Sequence, residues 1–239
     1  MRVLALDTTT REGSVALIED DRVLAEEPGD PMRSHGERLP GDLVDLLARR
    51  SLRVADMDLF AIAAGPGSFT GLRIGIACVQ GLAMVLRRRV VAVSALDALA
   101  QSAAERAEPG TTIAAWMDAH RGEVFSASYR VGDAAPYTPE RLTLIEPATA
   151  AAPRDLLTRW ADRLPATFVG DGAVEYAYLI PESSGVLEHP LLAGPIGRMA
   201  VPLAQRNQAI SPAAIQPIYV RRPDAELERE RRRAEPATP

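Results

Sequence analysis

The sequence predicts an α/β protein of two domains, and three features lead there. Short apolar runs alternate with helical patterns through the first hundred residues. The opening order of strand, Asp, polar turn, Gly and return strand recurs after residue 110. Between the two copies stands Glu108-Pro109-Gly110, a strong turn signal. Strands alternating with helices make a sheet covered by helices, and the antiparallel hairpin belongs at its edge. The expected domains are residues 1–108, a reduced second domain over 109–222, and a charged tail over 223–239. The tail has too few apolar residues to order itself.

The elements follow in order. Val3 to Leu6 is an apolar run ending at Asp7, and Ser14 to Ile18 with Arg22 to Glu26 reads as a hairpin across Asp20-Asp21. Ser34 and Glu37 have capping-box spacing, and Leu39, Leu43, Leu46 and Leu47 fall on one stripe of the helix that follows. Pro40 and Gly41 predict a kink or a late start there. Asp58 to Ala64 is a buried strand running into a Gly-rich loop and a helix from about Gly71 to Leu86. Val90 to Val93 is the next strand, and Ser94 is placed to cap a helix from Ala95 to about Ala107. In the second unit, Thr111 to Met117 and Val124 to Val131 flank the polar turn Asp118 to Glu123. Leu142 to Ile145 is a third strand, and Pro153 opens a helix through Arg163. Ala166 to Val169 ends in Gly170-Asp171-Gly172, a turn or a worn adenosine motif. Pro190 to Arg206 is helical, with a break at Pro202.

Composition removes several functions. The net charge of −5 and pI near 5.4 give no basic field, so RNA contact needs a local patch or a partner. Every one of the 27 basic residues is Arg, which excludes a Schiff-base or P-loop Lys. The single Cys78 in apolar company reads as a packing residue. Of the three His, His35 has Leu39 four positions on, and neither His120 nor His189 has a neighbour at ligand spacing. His35, at a helix start, reads as a surface residue. Ser14, Ser34 and Ser68 have no identifiable His-Asp partners. No metal and no catalytic residue is therefore expected. Met1 runs directly into a strand pattern, so no signal peptide is expected and the cytoplasm is the expected location.

The stretch Gly65 to Leu86 breaks the ordinary pattern. From Ile74 to Leu86 its only strongly polar side chain is Gln80. A surface helix carries one apolar stripe, so a helix apolar all round must be covered all round. The run is shorter than the ~20 residues of a membrane span and is flanked by Arg73 and Arg87 to Arg89. Two readings stay open: an internal core helix, or one covered on its outer side by a second subunit. Gly71, Gly75, Cys78 and Gly81 supply small residues that let another backbone approach, at about 1 kcal/mol of helix propensity per Gly. A homodimer of the isolated chain is the expectation.

The segment GPGSFTGLRIGIACVQGLA resembles the hallmark of the bacterial TsaB (YeaZ) family. LALDTTTREGSVAL, SHGERLPGDLVDLL, VVAVSALDALA, MDAHRGEVFSASY, GDG and IQPIYVRR stand around it in the family's order, up to Arg222. The resemblance implies the two-domain fold of actin, hexokinase and Hsp70. It implies a non-catalytic partner of the enzyme TsaD, with TsaE as third component, in making threonylcarbamoyladenosine beside the tRNA anticodon. tRNA would be met only through the complex. In the family the first two helices of the N-terminal domain make the partner contact. Here they carry Leu39, Leu43, Leu46 and Leu47, then Phe69, Gly71, Leu72, Gly75, Cys78, Val79 and Leu82, the expected interface. Asp7, Thr8, Thr9 and Thr10, with Asp118 and Gly122, stand where phosphate turns sit in this fold. ATP or ADP could bind there, although turn chemistry explains the same residues and no tightly bound cofactor is expected. The alternative function is a stand-alone ATP-using phosphotransferase or hydrolase of the same fold.

Overall fold

The computed structural model describes residues 1–164, 166–188 and 190–221. The expected tail, and His189, lie outside the described residues. The first five-stranded sheet contains β1 (Arg2–Asp7), β2 (Ser14–Glu19), β3 (Arg22–Pro28), β4 (Leu59–Gly65) and β5 (Arg89–Ser94), in the order β3-β2-β1-β4-β5. β1, β2 and β3 are antiparallel, and β4 and β5 run parallel to β1. The second sheet repeats this plan. β6 (Thr112–Asp118), β7 (Val124–Val131) and β8 (Leu142–Ala151) form the antiparallel set, and β9 (Thr167–Val169) and β10 (Gly185–Leu187) complete the order β10-β9-β6-β7-β8. The duplicated α/β plan expected from the sequence is present, with one further strand, β10, beyond those the sequence predicts.

Alternation along β1 decides what lies on each face. Leu4 and Leu6 point to a core with helices α1 (His35–Ala48) and α2 (Phe69–Val85). Val3 and Ala5 point to the opposite core. There α3 (Ala95–Ala104) and α6 (Ala193–Gln205) form a layer between the sheets, and one cluster runs from Val3 through Leu99 and Ile196 to Met117. α6 comes from the far end of the described chain yet packs on β1 and β2, so chain order and packing do not coincide. An added Cβ on Gly197 would lie 2.1 Å from Ile18 Cδ1, so this crossing needs a glycine. The outer face of the second sheet is covered by α4 (Pro153–Arg159) and α5 (Asp171–Glu175) around Trp116, Trp160 and Phe168.

Several element boundaries differ from expectation. α1 runs through Pro40 from His35 to Ala48 without a late start. Pro40 is exposed, so water can serve the carbonyl that its missing N–H leaves free. α2 begins at Phe69, because Ser68 Oγ accepts the Gly71 N–H at 3.2 Å. α6 likewise passes through Pro202. Gly170-Asp171-Gly172 is more than a free turn. It opens α5, and Asp171 Oδ1 accepts the N–H groups of Asp118 (3.0 Å) and Gly172 (2.9 Å).

Candidate functional site

α1 and α2 both start at one end of the first lobe, beside the cleft between the lobes. They differ in how they meet their surroundings. The Glu37 carboxylate accepts the Ser34 N–H (2.9 Å) and the Ser34 hydroxyl (2.6 Å), which sets the start of α1. The stripe Leu39, Leu43, Leu46 and Leu47 is buried in the chain's own core, at 1–2% exposure. On α2, Gly71, Leu72, Gly75 and Val79 are also buried. These eight residues of the expected interface are thus closed to a partner. The two glycines do permit a close approach, but from inside the chain. A Cβ on Gly71 would stand 2.1 Å from the Thr8 carbonyl oxygen, and one on Gly75 would stand 2.2 Å from Thr8 Oγ1. Of the expected set, Phe69, Cys78 and Leu82 keep partial exposure.

The open face lies on the other side of both helices. Pro40 and Val44 on α1, with Ala77, Gly81, Met84 and Val85 on α2, are exposed, and Val85 is 83% exposed. Ile74 of α2 lies against Gly36 of α1, where the two helices touch. The face is apolar and low, because small residues occupy its middle. Gly41 and Gly81 have open space around them.

Two polar residues that sequence reasoning missed hold this end of the lobe. His35 is buried, contrary to the surface reading. Arg38 Nη2 donates to His35 Nδ1 at 2.9 Å, so Nδ1 is the acceptor and Nε2–H donates to the Thr10 carbonyl at 2.9 Å. Burial holds this imidazole below its ordinary pKa; the Thr10 bond opposes that and the Arg38 charge adds to it. Arg38 also bonds Asp42 and the Glu12 carbonyl, and packs against Gly29 where any Cβ would collide. The signal was visible in retrospect: His35 and Arg38 are three apart, on one helix face.

The cleft between the lobes has a volume of about 890 Å³ and is lined by Thr9, Thr10, Ser68 and Phe69 on one side and Asp118, His120 and Asp171 on the other. Residues 218–221 of the chain's C-terminal segment form a third wall. Thr9, Thr10 and Asp118 of the expected phosphate turns therefore face one space. Asp7 and Thr8 are buried behind it, and Gly122 does not line it. Part of the turn is bonded internally, while the buried Thr8 hydroxyl has no hydrogen-bond partner among the described residues. Asp7 Oδ1 accepts the Thr9 N–H (2.9 Å) and hydroxyl (2.6 Å), and Thr10 Oγ1 accepts the Gly13 N–H at 3.1 Å. Across the cleft, Asp118 Oδ1 accepts the His120 N–H at 2.8 Å and Oδ2 stands 2.9 Å from His120 Nδ1. Among the described residues no group of three His, Cys, Asp or Glu could hold a metal ion. No described helix is long and apolar enough to cross a membrane.

Comparison with known proteins agrees with this lobe. The family model for TsaD, tRNA N6-adenosine threonylcarbamoyltransferase, matches residues 26–146. YeaZ from Pseudomonas aeruginosa superposes with a TM-score of 0.74 at 31% identity, over 91% of this chain and 99% of that one. The chain belongs to the TsaB (YeaZ) family. The Escherichia coli tRNA threonylcarbamoyladenosine biosynthesis protein TsaB is 41% identical over 130 residues, 54% of this chain and 55% of that protein. The chain thus matches about half the length of the named TsaB relatives. An uncharacterized Mycobacterium tuberculosis protein is 33% identical over 228 residues, 93% of each chain. The region matched by the transferase family model includes α1 and α2.

Proposed function

We propose that this TsaB-family chain is a non-catalytic docking subunit in tRNA threonylcarbamoyladenosine synthesis. It binds a TsaD-type transferase through the outer face of α1 and α2, with TsaE as third component, and meets tRNA only in that complex. The carrying observation is the uncovered apolar face, Pro40 and Val44 beside Ala77, Gly81, Met84 and Val85. Large apolar side chains left exposed on neighbouring helices in this way mark an interaction site. The TsaD family model covers the region that bears this face, so the transferase is expected to own a matching helix pair. Two like faces can pack about a pseudo-two-fold axis, and the same geometry would let the isolated chain form a homodimer in the cytoplasm.

The test is reconstitution with tRNA, threonine, bicarbonate, ATP and the other pathway proteins, with and without this chain. Product is expected only when the chain is present, and none from the chain alone. A second reading, an ATP-using phosphotransferase or hydrolase, is favoured by the cleft with Thr9, Thr10 and Asp118 facing inward. The part of the turn that is bonded internally speaks against it. Calorimetric titration with Mg-ATP decides: micromolar binding with turnover would replace the docking reading.

A further inference from the structure

The described chain does not end at α6. From Ile210 to Arg221 it returns as a strap along the flank of α2. Ile210 exchanges backbone hydrogen bonds with Val90, at 2.8 and 3.0 Å, and Ile215 is buried in the α1/α2 core. Gln80 of α2 donates to the Pro212 carbonyl at 3.0 Å, and the Ile218 N–H donates to the Ala64 carbonyl at 2.7 Å. At its end Arg221 donates to Glu123 and to the Ala119 carbonyl, both at 2.9 Å, and so grips the second lobe.

At 100° per residue, Phe69, Arg73 and Gln80 lie on one flank of α2, and Gly71, Ile74 and Cys78 lie about half a turn away, toward α1. The small exposed residues Ala77 and Gly81 run between these flanks. The uncovered face therefore has two rails, α1 on one side and the strap on the other. The strap's rail carries an ordered cluster. Tyr219 stacks on Phe69 with ring centroids 5.2 Å apart, Arg73 Cζ lies 3.8 Å above the Phe69 ring, and Arg73 Nε donates to the Tyr219 hydroxyl at 3.2 Å. Arg73 is exposed, Tyr219 is 40% exposed, and no carboxylate pairs with Arg73 among the described residues.

We propose that the strap is part of the docking surface, and that Phe69, Arg73 and Tyr219 form its polar anchor for the transferase. This rests on the docking reading above and extends it. Tyr and Arg are the residue types that dominate binding energy at interfaces, and a cluster already stacked loses little freedom on binding. The cluster adjoins the α2 face, so one partner surface can cover both. Arg73, which pairs with no carboxylate among the described residues, calls for a carboxylate on the transferase opposite it.

The experiment measures affinity of the full-length chain for the purified TsaD-type transferase of the same organism by calorimetry, over a range of salt. The variants are Tyr219→Ala and Arg73→Ala, with Gly81→Arg as a block on the helix face. Tyr219→Ala and Arg73→Ala are each expected to weaken binding at least tenfold. Arg73→Ala is also expected to flatten the salt dependence, which a purely structural role would leave unchanged. If Gly81→Arg blocks binding while both strap variants bind within twofold of the parent, the strap assignment is wrong and the docking reading stands. If Gly81→Arg binds as well as the parent, the docking reading falls and the strap assignment with it. Loss of self-association alone, read by sedimentation, would give the surface to a second copy of this chain and overturn its assignment to the transferase.

Discussion

Single residues at the start of α1 and α2 carry loads that their types do not announce. Burial disfavours the charged form of His35, and the Arg38 charge on its Nδ1 side adds to that. Its pKa is depressed in the folded chain, so the unfolded chain takes up a proton first as pH falls. The stability it contributes is complete above its unfolded pKa of about 6.5 and is lost as pH falls from there through the folded value. Urea unfolding of the parent is expected to weaken more steeply from pH 7 to 5.5 than that of His35→Gln; equal slopes would contradict the assignment. Gly75 is a second such residue. Gly75→Ala gains about 1 kcal/mol of helix propensity but drives a methyl into Thr8, so a net loss of about 1–2 kcal/mol is expected. Thr8→Ala in the same chain should recover most of that loss, which a denaturation cycle would show. For the same reason Gly75→Leu is a poor probe of docking, since it attacks the fold before it reaches any partner.

Elements show the division between packing and docking. α2 is apolar on every side, but its two sides serve different ends: Leu72, Ile76, Val79 and Ala83 are buried against the sheet, and Ala77, Gly81, Met84 and Val85 are left outside. Ser68→Ala removes the cap of α2 and is expected to cost about 1 kcal/mol of stability. Gly81→Arg adds a long charge where nothing lies within 4 Å. Its unfolding free energy is expected to stay within about 0.5 kcal/mol of the parent while self-association or transferase binding is lost. Size-exclusion chromatography beside a melting curve separates the two effects; loss of the fold itself would mean that this face is not free.

At the scale of the molecule, α3 and α6 pack against both lobes and are expected to make them unfold as one unit. Their cluster touches both sheets, and Tyr129 of β7 donates to Asp97 of α3 at 2.6 Å inside it. Burial pushes the pKa of the Asp97 carboxyl up, and the Tyr129 bond holds it partly back. Tyr129→Phe leaves that buried carboxyl without its donor, for an expected cost of about 1–3 kcal/mol. Ile196→Ala, at 0% exposure in the same layer, is expected to cost about 2–5 kcal/mol. Calorimetry should record one unfolding transition, shifted as a whole by Ile196→Ala; two transitions, with only one shifted, would show that the lobes unfold separately.

Local sequence patterns are enough for the α/β class, most of the duplicated strand order, the buried stripe of α1 and the family. Those features live in local patterns: short apolar runs such as Val3 to Leu6, the leucine stripe of α1, and the unusual composition of Gly65 to Leu86. Only the tertiary structure decided which side of each helix is free. The all-apolar α2 has no polar face to mark its outside, and a glycine looks alike whether it admits Thr8 or a second chain. The His35–Arg38 pair follows from i,i+3 spacing, but the burial of His35 against the Thr10 loop rests on a contact that no spacing rule encodes. The strap joins residues almost 150 positions apart in the chain, Arg73 with Tyr219, and contacts at that range are set by how the sheets stack rather than by neighbours in sequence.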